Sequence, residues 1–232
     1  MPTLTEDALQ ALLQLTGAGF PTGAFSHSYG LETAVQAGRV RDAATFGEWL
    51  DVHLDWSAAP TDGAGVALVQ RAAARGDWEA VARVDALLTA LKLAPEIRAA
   101  SLATGQAALR AAREVFPGAA LDRYAALLAA RRARGNAAAV FGCVAADLQV
   151  PVPVSVLAYL WMVASGLTAV ATRLVPLGAI AAQRALRARE PRIRAAAARA
   201  EALGEDELAA TAVAQDIAAL RHARLYSRLC IS

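Results

Sequence analysis

From Leu148 to Thr172 the chain runs 25 residues without a charge. About 20 apolar residues suffice for a helix to cross a bilayer, so such a run belongs either in lipid or at the centre of a protein core. Its make-up favours the core. It contains Gln149, Pro151, Pro153, Ser155, Ser165, Gly166, Thr168 and Thr172, neither flank carries a basic cluster, and no second run of this kind exists to pair with it. A helix apolar all round is what the middle of a helical bundle requires. The expectation is a buried central helix and no membrane span. The chain enters this helix at Val150-Pro-Val-Pro153, because two prolines remove backbone donors and push the residues before them into extended conformations.

The chain is long enough to bury a core around that helix. Its 232 residues are 56% hydrophobic, which suits a single domain spanning 1–232. Against 21 acidic residues stand 23 basic ones, a net charge of +2 that is too small to imply a nucleic-acid partner. The two cysteines, Cys143 and Cys230, lie far apart and outside any CxxC spacing, so neither a disulfide framework nor a structural zinc site is expected. The first residues, Met-Pro-Thr-Leu-Thr-Glu-Asp, lack the basic and apolar regions of a secretory signal, and the expected location is the cytoplasm.

Helical signals dominate and strand signals are nearly absent. Thr3 with Glu6 reads as a capping box ahead of Leu9, Leu12 and Leu13, and Thr45 with Glu48 as a second ahead of Trp49, Leu50 and His53. Pro60 and Thr61 read as the start of a helix that Gly76 closes, and Asp77 caps another that lasts until Pro95. Further helices are expected over 95–115, 121–134 and 136–148, then between Pro176, Pro191 and Gly204, with a last one toward Leu220. The fold class that follows is all-α, a bundle-like domain of roughly ten helices.

Residues 17–32 do not read as ordinary helix. Glycines and Pro21 shape a loop there before Ser26 or Ser28 caps the next helix. A phosphate cradle would need a preceding strand and a Gly-Lys-Ser/Thr ending, both missing. Ser26, His27 and Ser28 offer no hydrolase, since sequence neighbours point in different directions and no orienting carboxylate is identifiable. His53 lies on an apolar helix face and is expected to be a satisfied core histidine. No two of His27, His53, His222, Cys143 and Cys230 sit at helical ligand spacing, so no metal site is expected in this chain and no residue is assigned to catalysis.

Pro21-Thr-Gly-Ala-Phe-Ser-His-Ser-Tyr-Gly-Leu-Glu32 resembles a motif near the start of the UreF family of urease accessory proteins, Pro-x-Gly-Gly-Phe/Tyr-Ser-x-Ser-x-Gly-Leu-Glu. Two later blocks are similar to the same family. They are Arg173-Leu-Val-Pro-Leu-Gly178 with Gln183 five residues on, and Arg221-His-Ala-Arg-Leu-Tyr-Ser-Arg-Leu229. Ala24, Ala179, Ala223 and Cys230 depart from the family pattern, as does the lack of a histidine ahead of Phe141-Gly142.

The resemblance implies an all-α, often dimeric protein that joins the accessory protein UreD (also called UreH) and the GTPase UreG on apo-urease. It implies a recruiter and not a catalyst, with GTP hydrolysis linked to nickel delivery. On that picture no cofactor is bound stably by this chain, nickel passes through the assembly, and GTP with magnesium sits on the GTPase. The family-motif positions Pro21, Gly23, Phe25, Ser26, Ser28, Gly30, Leu31, Glu32, Arg173, Pro176, Gly178 and Gln183 are expected to be structural or interfacial.

Glu32 and Arg173 each border apolar helix, and an ionised group there must find a partner, either each other or backbone. The segment 221–232 is expected to bind a partner through His222, Tyr226, Ser227, Arg228 and Leu229, because an aromatic, a guanidinium and an apolar group within four residues match binding hot spots. Between Arg173 and Arg199 seven arginines accompany one acid, Glu190, which reads as a solvated face. The competing functional class is a helical interaction protein, membrane-associated through the central run and unrelated to urease.

Overall fold

Among the described residues, a side-chain cap starts three of the helices. The computed structural model describes residues 3–232. Helix α1 spans Glu6–Thr16, and its cap is Thr5, whose Oγ1 accepts the Ala8 amide at 3.2 Å, in place of the predicted Thr3. After a short α2, Leu31–Gln36, comes α3, Ala43–His53. Here too the predicted box is displaced. Asp42 is the cap, its Oδ1 accepting the Thr45 amide at 2.8 Å while Thr45 Oγ1 accepts the Asp42 amide at 3.2 Å. Thr45 thus serves as the third helical residue of the box, and the carboxylate takes the cap itself.

Pro60 does not open a helix. It lies inside a π-helical segment, Leu54–Gly63, that carries the chain from α3 into α4, Ala64–Ala74. Proline has no N–H and crowds the carbonyl one turn back, and the wider π turn relieves that crowding. In an α-helix the Trp56 carbonyl would face residue 60. It accepts the Thr211 amide instead, at 2.8 Å, and the Pro60 carbonyl accepts that of Ala209 at 3.1 Å.

Helix α5, Trp78–Leu91, is capped by Asp77, and α6 runs Pro95–Val115, both as predicted. Helix α7, Ala119–Ala129, stops short of Arg134 because residues 134–136 turn to give their amides to Asp85. Then follow α8, Ala137–Asp147; α9, Val152–Leu174; α10, Ala179–Arg187; α11, Glu190–Ala202; and α12, Val213–His222. The described residues hold no strand, and the fold is an all-α bundle around one core. Among the described residues there are twelve α-helices, close to the ten or so expected.

Helix α9 is the central element, touching α4, α10, α11 and the π segment. Among the described residues it alone is long and apolar enough to cross a membrane, and half of that stretch is buried in the bundle. The expectation of burial all round is therefore corrected. Val156, Leu160, Ala164, Leu167 and Ala171 face inward, whereas Trp161, Gly166 and Ala169 are exposed and Val154, Leu157 and Ala158 half-buried.

The arginine stretch is largely exposed, as expected, and part of it is paired. Arg189 and Arg192 reach Asp51, and Arg192 and Arg199 reach Asp55, so acids of α3 and the π segment tie α11 down.

Candidate docking surface

The three sequence blocks meet in space. In the first, Gly23 (φ 74°) turns the chain into a short 3-10 turn, Ala24–Ser26, and Tyr29 (φ 52°) and Gly30 (φ 82°) then take consecutive left-handed conformations that aim α2 into the core. Leu31 and Glu32 are buried as a result, while Pro21, Gly23 and Phe25 stay exposed. In the second block Arg173, in the last turn of α9, donates to the Phe25 carbonyl. Pro176 separates α9 from α10, Gly178 stands at the α10 N-cap, and Gln183 is exposed on α10.

The third block closes on the first. Glu32 accepts the Leu229 amide at 2.7 Å, the Cys230 amide at 2.9 Å and His222 Nε2 at 3.1 Å. The other ring nitrogen of His222 meets Glu96 at 2.7 Å, and Glu96 also accepts Arg228 at 3.0 Å. Further along, Ile231 donates to the Ser26 carbonyl at 2.8 Å, and the amide and hydroxyl of Ser28 both donate to the Ser232 carbonyl. Gln36 Nε2 donates to the Ser227 carbonyl at 3.1 Å. The tail is thus strapped along residues 26–36 by its backbone, which leaves Tyr226, Leu229 and Ile231 pointing outward beside exposed Phe25.

Burial would raise the Glu32 carboxyl above its ordinary range. The Leu229 amide, His222 and the Cys230 amide outweigh that effect and hold it below. Burial pushes both His27 and His53 down, favouring neutral rings. His53 meets Gln215 at 3.1 Å, as a satisfied core histidine should.

Several expectations change here. Of the two partners expected for Glu32 and Arg173, each other or backbone, the structure gives backbone: Glu32 takes the tail amides and Arg173 the Phe25 carbonyl. His222 is fully buried, so it holds the tail from inside and presents nothing to a partner. Ser26 and Ser28 are not helix caps, because left-handed Gly30 occupies that position of α2. Ser26 turns away to the Gly23 carbonyl, whereas His27 and Ser28 both reach Ser232, through its hydroxyl and its carbonyl, so these two do not point apart as expected. Sequence reasoning missed Glu96 and Gln36, which lie on ordinary helix with no local signal. Among the described residues no three His, Cys, Asp or Glu side chains are placed to share a metal ion.

The family model named UreF matches residues 40–190. Over 222 residues the chain is 38% identical to the urease accessory protein UreF of Arthrobacter sp. (strain FB24), covering 96% of both chains. The chain belongs to the UreF family of urease accessory proteins. It is also 34% identical over 227 residues to the UreF protein of Thermosynechococcus vestitus, covering 97% of this chain and 98% of the relative. With the UreF protein of Rhodopseudomonas palustris (strain BisA53) it shares 37% identity over 222 residues, 96% and 92% of the two chains.

Gly30 shows what one motif position of this UreF-family chain does. A Cβ there would lie 2.8 Å from the Ala219 nitrogen and 3.0 Å from the Gln215 carbonyl, both on α12, and the left-handed backbone would be strained as well. Gly30→Ala is expected to lift α12 and to cost about 2 kcal/mol or more, since the backbone penalty alone is 1–2. A thermal melt checks this. An unchanged midpoint would mean that α12 does not depend on the close approach.

Proposed function

We propose that this chain is a non-catalytic scaffold of urease maturation. It joins UreD (UreH) and the GTPase UreG on apo-urease in the cytoplasm and couples GTP hydrolysis to nickel insertion into the urease active site. The observation that carries the reading is the convergence of the three sequence blocks on one strapped tail, which holds Phe25, Tyr226, Leu229 and Ile231 outward without giving them a core to fill. Exposed aromatic and aliphatic anchors on a pre-ordered backbone bind at low entropic cost. Nickel is cargo in this scheme, while GTP and magnesium belong to the GTPase.

The outward face of α9 is assigned to a second copy of the chain. Leu9, Leu13, Val154, Leu157 and Trp161 line an open groove of about 410 Å³, rimmed by both an acid, Glu190, and a base, Arg194. A two-fold interface brings one patch against itself, so it needs both signs at its edge.

The test is co-expression with the UreD-type protein, the GTPase and apo-urease. A co-purifying complex and chain-dependent urease activation are expected, and a monodisperse protein that ignores every partner would refute the scaffold. Trp161→Asp and Leu13→Asp are each expected to convert a dimer to monomer by sedimentation with helicity unchanged, whereas a dimer that survives both excludes this face.

A further inference from the structure

The tail carries more cation than it has acid to match. Arg221 and Arg224 stand exposed at the end of α12, and Arg39 is exposed just past the end of α2, whose Gln36 holds the Ser227 carbonyl. Among the described residues none of these three guanidiniums lies within ion-pair distance of a carboxylate. Arg228 shares Glu96 with His222, and Glu32 is committed to His222 and to tail amides, so both of these acids already have partners. Tyr226 and Leu229, which alternate with Arg224 and Arg228 along the tail, are wholly or largely exposed.

We infer that the tail surface recognises an acidic protein face, one with an apolar centre for Tyr226 and Leu229 and carboxylates at the rim for Arg39, Arg221, Arg224 and Arg228. This rests on the docking reading above and adds the partner's chemistry to it. Unpaired surface arginines around an apolar anchor steer an oppositely charged partner and reject a like-charged one. A nucleic acid would also meet the cations. Tyr226 offers a face on which a base stacks, but the exposed Leu220, Leu229 and Ile231 do not, and this aliphatic majority favours protein.

The experiment measures the affinity of the full chain for the purified UreD-type protein at about 50 and about 300 mM salt, a range over which rim charges become screened. Arg221→Glu/Arg224→Glu is expected to weaken binding about ten-fold or more at low salt and to flatten the salt dependence, while Arg221→Lys/Arg224→Lys retains both. Both positions are exposed, and an unchanged melt verifies folding. If the double reversal binds like the parent while Tyr226→Ala does not bind, the charge inference is overturned and the docking reading survives. If neither variant changes binding, the docking reading itself fails. Tighter binding to a labelled RNA or DNA duplex than to the protein partner also overturns the inference.

Discussion

Glu32→Gln will release the tail while leaving the bundle folded. Both oxygens of Glu32 are taken, one by the Leu229 amide and the other by the Cys230 amide and His222, and all three groups donate. Glutamine keeps the volume but brings an NH₂, which must face a donor in either orientation. A hydrogen bond to a charged group contributes about 1.5–3 kcal/mol, so loss of the charge and one acceptor should shift the strap by about 3 kcal/mol. That is roughly a hundred-fold rise in the open population.

The readouts are faster amide exchange at Leu229 and Cys230, proteolysis within 223–232, and about ten-fold or greater loss of partner co-purification, with helicity retained. Acid should act in the same direction. Because the docked tail holds the Glu32 carboxyl below its ordinary range, the stabilisation is present in full above that range and is lost as pH falls through the lowered value. A tail that stays protected in the variant, or that detaches on raising the pH instead, would show that Glu32 is not the latch.

What the sequence could disclose depended on the range of the interaction. Asp77, Pro95 and Asn136 mark helix starts by rules that reach only a few residues, and the helices begin where those rules say. Pro60 misled because a proline normally ends a helix, and the widened turn that tolerates it depends on distant Thr211 for the freed carbonyl. The charge-free run was legible as a central helix. The exposure of its other half was not, since hydropathy cannot tell which side of an apolar helix the rest of the chain covers. Glu32 was legible as a charge in need of a partner, either Arg173 or backbone, but which backbone was not. The partners lie 190 and more residues away, and two of the three are backbone amides, which no side-chain pattern announces. His222 drew attention as a surface group because it sits in a tail, although tertiary packing puts it in the interior.

The largest loss of stability is expected at a residue no motif flagged. Asp85 is fully buried on α5 with no cation beside it. Its carboxylate is satisfied by donors alone: the Tyr124 hydroxyl at 2.9 Å, the amides of Arg134, Gly135 and Asn136, and the Asn136 side-chain amide at 2.7 Å. Burial, and then the neighbouring carboxylate, push Tyr124 well above its ordinary range, so its hydroxyl remains a donor. The cage fixes the turn between α7 and α8 and places Asn136 to start α8, which packs against α4 in the core.

Asp85→Ala strands these buried donors, and each stranded group costs about 1–3 kcal/mol. With partial relaxation the loss is roughly 4 kcal/mol, or about 8–16 °C in melting temperature for a chain of this size. Asp85→Asn, which keeps one acceptor, should lose less. A midpoint shift under about 2 °C for the alanine variant would mean the turn holds without the carboxylate. Because Asp85 makes no contact with the tail, its variants at permissive temperature should still capture partners. Glu32→Gln should melt near the parent and fail to capture them. That opposite pairing separates a residue that maintains the bundle from one that presents its surface.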